Sequence, residues 1–363
     1  GIMSIFNNVL AWAAKNERPL GAALFAFGFF TDFFTFGVLP IELVNYFFIG
    51  YLALAAVSCL GSHIFIHYHD STSWWKKTLS VLFPLGAQYA FGGLLSGFVV
   101  FYTAHSVVTV SWPFLIVLAL VFVGNEYFRM YKQYLVFQTT LLFFSLYAYT
   151  IFGVPLILGS LGPLVFAWST LAAVVLFGLF LLALRLLNTA RYKESRTRIL
   201  QACAAILIAV SSSYMFGVIP PIPLVMKDAG MYHSLSKISG GYRVEGEAPR
   251  EWWDLRTPVV HHVPNTYVYA YSAIAAPVKF GSTVVHRWER YDTKENDWIT
   301  VSKVAFPITG GRSQGYRGYS ERNSLPEGKW RVSVETANGQ VIGRIRFDVE
   351  TVEQSPELQE KNL

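Results

Sequence analysis

The chain has 363 residues, 53% of them hydrophobic, 16% aromatic and only 14% charged, and a formal net charge of +6. It is too apolar for an ordinary soluble protein. The positive charge does not mark a nucleic-acid partner, because residues 1–221 hold 11 basic and 6 acidic side chains and the remainder holds 18 and 17. Charge is scarce up to Pro221 and normal afterwards, so two domains are expected.

Within residues 1–19, Ile5, Phe6, Val9, Leu10 and Ala13 recur at helical spacing, which predicts an amphipathic helix lying on a membrane surface. A span needs about 20 apolar residues to cross the hydrocarbon. Seven such segments follow in the 20–221 region, at 20–39, 43–66, 79–102, 108–124, 134–158, 161–184 and 199–219. The first is expected to act as a retained anchor.

Basic residues occur before the first span (Lys15, Arg18) and in the connections after spans two (Lys76, Lys77), four (Arg129, Lys132) and six (Arg185, Arg191, Lys193, Arg196, Arg198). The alternate connections carry none. Short Lys- and Arg-rich loops stay cytoplasmic, so the N-terminus is expected inside and everything beyond the seventh span outside.

Polar residues inside the spans are the first functional candidates. Asp32 is the one acid well inside a span, where it costs about 2.5–3.5 kcal/mol on insertion scales. It would serve a polar cavity or a bond to a neighbouring helix. Gly93 and Gly97, with Gly92 and Ser96 in parallel, let helix backbones approach closely. At the inner end of span two, His63, His67 and Asp70 share a helical face at a spacing compatible with metal ligation, although an interfacial polar anchor is the better reading of them. Glu126 and Arg129, one turn apart, can pair where span four enters the cytoplasm. Cys59 and Cys203 both fall within spans, so no disulfide is expected.

Pro220, Pro221 and Pro223 end the last span. Residues 222–264 have weak periodicity and read as a juxtamembrane connector containing Trp252 and Trp253; His261 and His262 lie there without an evident Ser or Asp partner. From 265 to 351 the pattern changes to period two. Val284, His286 and Trp288 share a face, and Trp330, Val332 and Val334 alternate with Arg331, Ser333 and Glu335. Asn338-Gly339 predicts a type I′ hairpin. The expected fold is a seven-transmembrane-helix bundle followed by a C-terminal immunoglobulin-like antiparallel β-sandwich, with a flexible tail at 352–363. His286 is expected to be a satisfied core residue. Arg312, Tyr316, Arg317 and Tyr319, in a glycine-rich stretch, are candidates for binding carboxylates, phosphates or sugars.

His286-Arg287-Trp288, Gly311-Arg312, Gly315-Tyr316-Arg317-Gly318-Tyr319, Gly328-Lys329-Trp330-Arg331-Val332 and Gly343-Arg344-Ile345-Arg346-Phe347 resemble the bacterial domain of unknown function 2914. The membrane half resembles the multi-span region that accompanies this domain in some members. The residues that carry this second likeness are Asp32, Gly92-Gly93-Leu94-Leu95-Ser96, Asn125-Glu126 with Arg129, Pro220-Pro221-Ile222-Pro223-Leu224 and Met231-Tyr232-His233. The resemblance implies a bacterial inner-membrane protein with its β-domain in the periplasm, and it supplies no catalytic residues.

Three functions fit these readings. The favoured one is a non-enzymatic protein, without a cofactor, whose β-domain binds a partner protein or an envelope polymer while its helices contact membrane lipids; a homo-oligomer is compatible with it. The second is a transporter or channel using Asp32, and the third an intramembrane enzyme using His63, His67 and Asp70 or Glu126.

Overall fold

The computed structural model describes residue 32 and residues 41–65, 73–104, 108–127, 135–248, 256–277, 280–311 and 315–363. Among these, six helices precede eleven strands. The helices are α1 (Ile41–Phe65), α2 (Trp74–Ala104), α3 (Val108–Tyr127), α4 (Leu135–Leu158), α5 (Pro163–Leu187) and α6 (Thr189–Met215). Five are long and apolar enough to cross a membrane, over Leu43–Phe65, Thr78–Thr103, Leu135–Leu158, Pro163–Leu187 and Thr189–Met215. The expected interfacial helix and first span lie outside the described residues, apart from Asp32, which is helical. α6 starts ten positions before the expected 199, because its basic first turns are good helix formers that an apolar window ignores.

The chain divides into two compact units, the first taking Gly1–Ala104, Leu115–Tyr149 and Ala173–Ile206. Here α1 and α2 approach closely at small residues. A β-carbon on Gly61 would lie 2.4 Å from the Phe83 ring, and one on Gly93 2.7 Å from Tyr51. Phe48 stacks on Phe98 with centroids 4.7 Å apart. The Tyr102 hydroxyl donates to the Ala148 carbonyl at 2.7 Å, and Tyr149 donates to Asn45 Oδ1 at 2.8 Å. Such internal bonds are the ones a hydrocarbon surround requires.

The second unit takes His105–Phe114, Thr150–Ala172 and Leu207–Leu363, so the far ends of α4 and α6 and the start of α5 belong with the strands. The strands are β1 (Val225–Tyr232), β2 (Ser234–Ile238), β3 (Gly241–Glu247), β4 (Val259–His262), β5 (Val268–Ala275), β6 (Gly281–Asp292), β7 (Asp297–Thr309), β8 (Tyr316–Arg322), β9 (Gly328–Thr336), β10 (Val341–Thr351) and β11 (Leu358–Asn362). They form three sheets, ordered β1-β5-β8, β4-β10-β9-β6-β7 and β11-β3-β2.

Four sequence expectations change. Residues 222–264 are not an irregular connector, since they carry β1 to β4. The polar tail also forms a strand, with β11 pairing antiparallel to β3 and Arg243 Nε 3.2 Å from Glu360 Oε1. The sheets are not purely antiparallel, because β4 runs parallel to β10. At the Asn338-Gly339 hairpin only Gly339 has positive φ, +80°. The Gly339 amide donates to the Thr336 carbonyl and the Thr336 amide to the Gln340 carbonyl, both at 2.9 Å. That is a type I turn followed by a left-handed glycine, which needs one positive φ where type I′ needs two.

The first two sheets share a core. Val268 and Ala270 of β5 meet Trp288, Trp330, Val332 and Phe347 of the five-stranded sheet. A second cluster joins Leu224, Ile274, Phe280, Val284, Ile308 and Val334, with Leu161 from the α4–α5 connection packed against it. The Gly281 amide donates to the Gly159 carbonyl at 2.9 Å, and Gln340 Nε2 donates to the Ile219 carbonyl at 3.2 Å. The connection between two helices therefore completes a β core.

His286 is fully buried between the sheets. Its Nε2 shares a hydrogen bond with Ser272 Oγ (2.8 Å) and its Nδ1 one with Ser320 Oγ (2.9 Å), while Trp288 Nε1 donates to Ser320 Oγ at 2.9 Å. On the opposite face of the five-stranded sheet, Glu289 is 1% exposed. Arg331 grips it from Nε (2.7 Å) and Nη2 (2.9 Å), and Ser333 Oγ donates at 2.7 Å. Burial alone would raise the Glu289 carboxyl; Arg331, Ser333 and Arg287 together hold it below the usual range.

Two expectations follow. Gly93→Leu drives a side chain into Tyr51, and overpacking of this kind costs about 1–3 kcal/mol, so the melting temperature in detergent should fall; an unchanged melt would mean that α1 and α2 do not meet there. Burial lowers His286 from 6.5 to about 4, so the unfolded chain takes up a proton between those values that the folded chain refuses. Stability should be full above the upper value, fall as pH drops towards the lower one and level off below, a loss on the order of 3 kcal/mol. Near-ultraviolet circular dichroism melts of the full chain should show this slope, and His286→Gln should flatten it.

Candidate functional site

The most chemically organised group lies in the segment read from sequence as a connector. His233 sits at the corner between β1 and β2, where its amide donates to the Glu245 carbonyl at 2.8 Å. Glu247 closes β3. β4 alternates, so that Val260 and His262 are buried while Val259 and His261 are half-buried.

The Glu247 carboxylate collects both histidines. Its Oε1 accepts the His261 amide at 2.8 Å and faces His233 Nε2 at 3.0 Å, and its Oε2 faces His261 Nδ1 at 2.8 Å. Burial would raise the Glu247 carboxyl, but the His261 amide and the two rings outweigh it and hold the group below its ordinary 4.5. A carboxylate only accepts, so both rings donate to it. That orients the remaining nitrogens, His233 Nδ1 and His261 Nε2, away from Glu247; the latter is 3.8 Å from Glu350 Oε2.

These side chains border a cleft of about 490 Å³, a volume typical of small-ligand sites. Met231, Val260, Ile345 and Phe347 give it apolar walls, and Arg256 and Arg346 add two guanidinium groups. The combination suits an anionic group attached to an apolar body. No nucleophilic serine or cysteine lines the cleft among the described residues.

The residues singled out from sequence lie elsewhere. Tyr316 packs inward against the second core cluster. Arg317 Nη1 donates to the Gly240 carbonyl at 2.8 Å. Tyr319, 41% exposed, touches the rings of Tyr242 (5.8 Å) and Tyr269 (6.2 Å). Strand alternation thus separates Tyr316 from Arg317 and Tyr319, and Arg312 is outside the described residues.

In the helical unit, His63 is 1% exposed and both ring nitrogens are engaged. Its Nε2 is 2.9 Å from Gln138 Oε1 and its Nδ1 accepts from Arg191 Nη1 at 3.0 Å; Asn188 Nδ2 donates to the His63 carbonyl at 3.0 Å. Those bonds tie α1, α4 and the start of α6 and leave no ring nitrogen for a metal. His67, Asp70 and Arg129 lie outside the described residues, and Glu126 is helical. Among the described residues no three His, Cys, Asp or Glu side chains are arranged to hold a metal ion. Asp32 is half-buried near Ser96, whose buried hydroxyl has no hydrogen-bond partner among the described residues.

The histidine–glutamate group was missed because its members lie 14 and 28 positions apart in a stretch without clean alternation. The usable signal was the pair of histidines, His233 and His261, on either side of an acid-bearing strand.

Comparison with known proteins covers part of this region. The family model described as "Protein of unknown function (DUF2914)" matches residues 281–349, from the start of β6 almost to the end of β10. It therefore includes Ile345, Arg346 and Phe347 of the cleft but not His233, Glu247 or His261. No curated protein matches the chain. Among solved structures, the alkylpurine DNA glycosylase AlkC of Pseudomonas fluorescens, bound to DNA containing an abasic site analog, aligns at 8% identity over 84% of this chain and 98% of its own. Its TM-score of 0.22 is too low to bear on fold or function.

Glu247→Gln keeps the shape of the side chain but turns one acceptor into a donor facing another donor. It should destabilise the β region by about 1–3 kcal/mol at neutral pH. Because the Glu247 value is lowered on folding, its contribution is present above 4.5 and fades as pH falls through the folded value. The gap between wild-type and variant melts should therefore close in acid; a constant gap would show that the carboxylate charge plays no part.

Proposed function

We propose that the protein is a non-enzymatic, multi-span component of a bacterial inner membrane that presents an immunoglobulin-like β region on the periplasmic side to bind a partner in the cell envelope. The observation that carries this reading is the cleft, whose apolar walls, arginine pair and carboxylate-oriented histidines suit binding of a ligand. The placement of Lys and Arg in alternate connections supports a cytoplasmic N-terminus and seven spans. Two hydrogen bonds, from Gly281 to Gly159 and from Gln340 to Ile219, support a β region held close to the lipid surface.

Two measurements test the proposal. Alkaline phosphatase fused after Leu363 should be active and a green fluorescent fusion dark; the reverse pattern overturns the orientation. A photo-crosslinking residue at Thr257, on the cleft, should yield an envelope adduct that the same residue at Lys303, on β7 away from the cleft, does not. Equal or absent adducts at the two positions overturn the binding role.

A transport reading keeps one supporting observation, the half-buried helical Asp32 beside Ser96 and within electrostatic reach of Tyr51. Under it, Asp32→Asn abolishes cation or proton flux in liposomes while the protein stays folded; unchanged flux removes that reading.

A further inference from the structure

The cleft also contains a short piece of open sheet edge. β9 flanks β10 from Val341 to Val349, but β4 covers the other side only from Asp348 to Thr351. The Asp348 amide donates to the Pro258 carbonyl at 2.8 Å, so it points towards the β4 side. Strand geometry repeats every two residues, and therefore the amide and carbonyl of Arg346 point the same way. No strand pairs with them there among the described residues. The window has two ends. Met226 lies against Gly343, where an added β-carbon would be 2.2 Å from its methyl group, and Pro258 closes the other end.

We propose that this window takes a short extended peptide from a partner protein, carrying an acidic side chain, which adds as a strand beside Ile345–Arg346–Phe347 and continues the line of β4. The inference rests on reading the cleft as the binding site and names its occupant. An extended peptide offers alternating amides and carbonyls to the Arg346 backbone, which a lipid headgroup or a glycan cannot do in register. Its apolar side chain lies on Met231, Val260 and Phe347. Its carboxylate meets Arg256 and Arg346, with His233 and His261 held nearby by Glu247, which itself is occupied by those rings. Asp348 and Glu350 are the acids on the same strand. Asp348 stands opposite Lys329 in the β9 register and Glu350 is beside His261, so both acids lie towards the β4 end and Arg346 marks the positive end of the window.

The test uses the full chain in nanodiscs and a fluorescent peptide of alternating valine and glutamate, followed by anisotropy. Saturable binding is expected, weakened about tenfold or more by Arg346→Glu, the loss expected for one charge-assisted contact. Weakening of similar size is expected when the peptide is N-methylated at alternate residues, which removes its strand hydrogen bonds and leaves its charge. A lysine-for-glutamate peptide should not bind. No saturable binding, equal binding of the N-methylated peptide, or equal binding of the lysine peptide each overturns the strand-addition proposal. If the Thr257 crosslinker meanwhile captures a glycan or lipid, the envelope-binding reading stands and only the peptide is wrong; if it captures nothing, both fall. Near-ultraviolet circular dichroism of Arg346→Glu, an exposed position, separates lost binding from lost folding.

Discussion

One carboxylate ties together parts of the β region that share no strand. Glu247 belongs to the β11-β3-β2 sheet, His233 to the corner where the β1 sheet passes into it, and His261 to the parallel edge of the five-stranded sheet. Three hydrogen bonds converge on two oxygens, strong enough together to reverse the effect of burial on the acid. Without that junction β4 would depend on its short pairing with β10 and on the packing of Val260 in the core, and the cleft would lose one of its polar ties. The site and the scaffold are thus the same interaction seen from two sides.

The two units satisfy their polar groups by different means. In the helical unit, His63 is surrounded by uncharged Gln138 and Asn188 and a single Arg191, with each ring nitrogen used once. In the β region the buried Glu289 is well supplied with donors, lying beneath Arg331, Ser333 and Arg287, whereas the buried Glu335 has the Arg287 guanidinium at one oxygen and burial raises its carboxyl. The Arg331 guanidinium also lies 4.3 Å from the Trp298 ring centre, which covers the pair from a third side. A buried carboxylate of this kind is strongly destabilised if one partner is removed, so it sets register across β6 and β9 more than it adds to net stability.

Much of the architecture is legible in the sequence. Long apolar segments placed the six described helices, five of which are long and apolar enough to cross a membrane. Alternation placed β6, β9 and β10, because each of those strands has one core face, visible in Val284, Trp288, Trp330, Val332 and Phe347. The strands from Val225 to Glu247 were not legible. β1 is half-buried along almost its whole length, so its two-residue rhythm is lost, and in β3 the alternating buried positions are Val244 and Gly246, of which the glycine gives no apolar signal. β11 was invisible for the opposite reason: Gln359, Glu360 and Lys361 bury little, and the strand is held by its backbone ladder to β3. The histidine–glutamate group escaped because nothing in local spacing links an acid at 247 to histidines at 233 and 261. Only the fold of three sheets brings them together.

Leu161 belongs by sequence to the turn between two apolar helices, yet it closes a cluster built from Leu224, Phe280 and Val334. The β region therefore lacks a piece of its own interior until the α4–α5 turn is in place. Folding of the strands is thereby coupled to that of the helices, because the cluster stays open until the turn between them supplies Leu161. A soluble fragment cut after α6 would leave those aliphatic and aromatic groups facing water, making it prone to self-association.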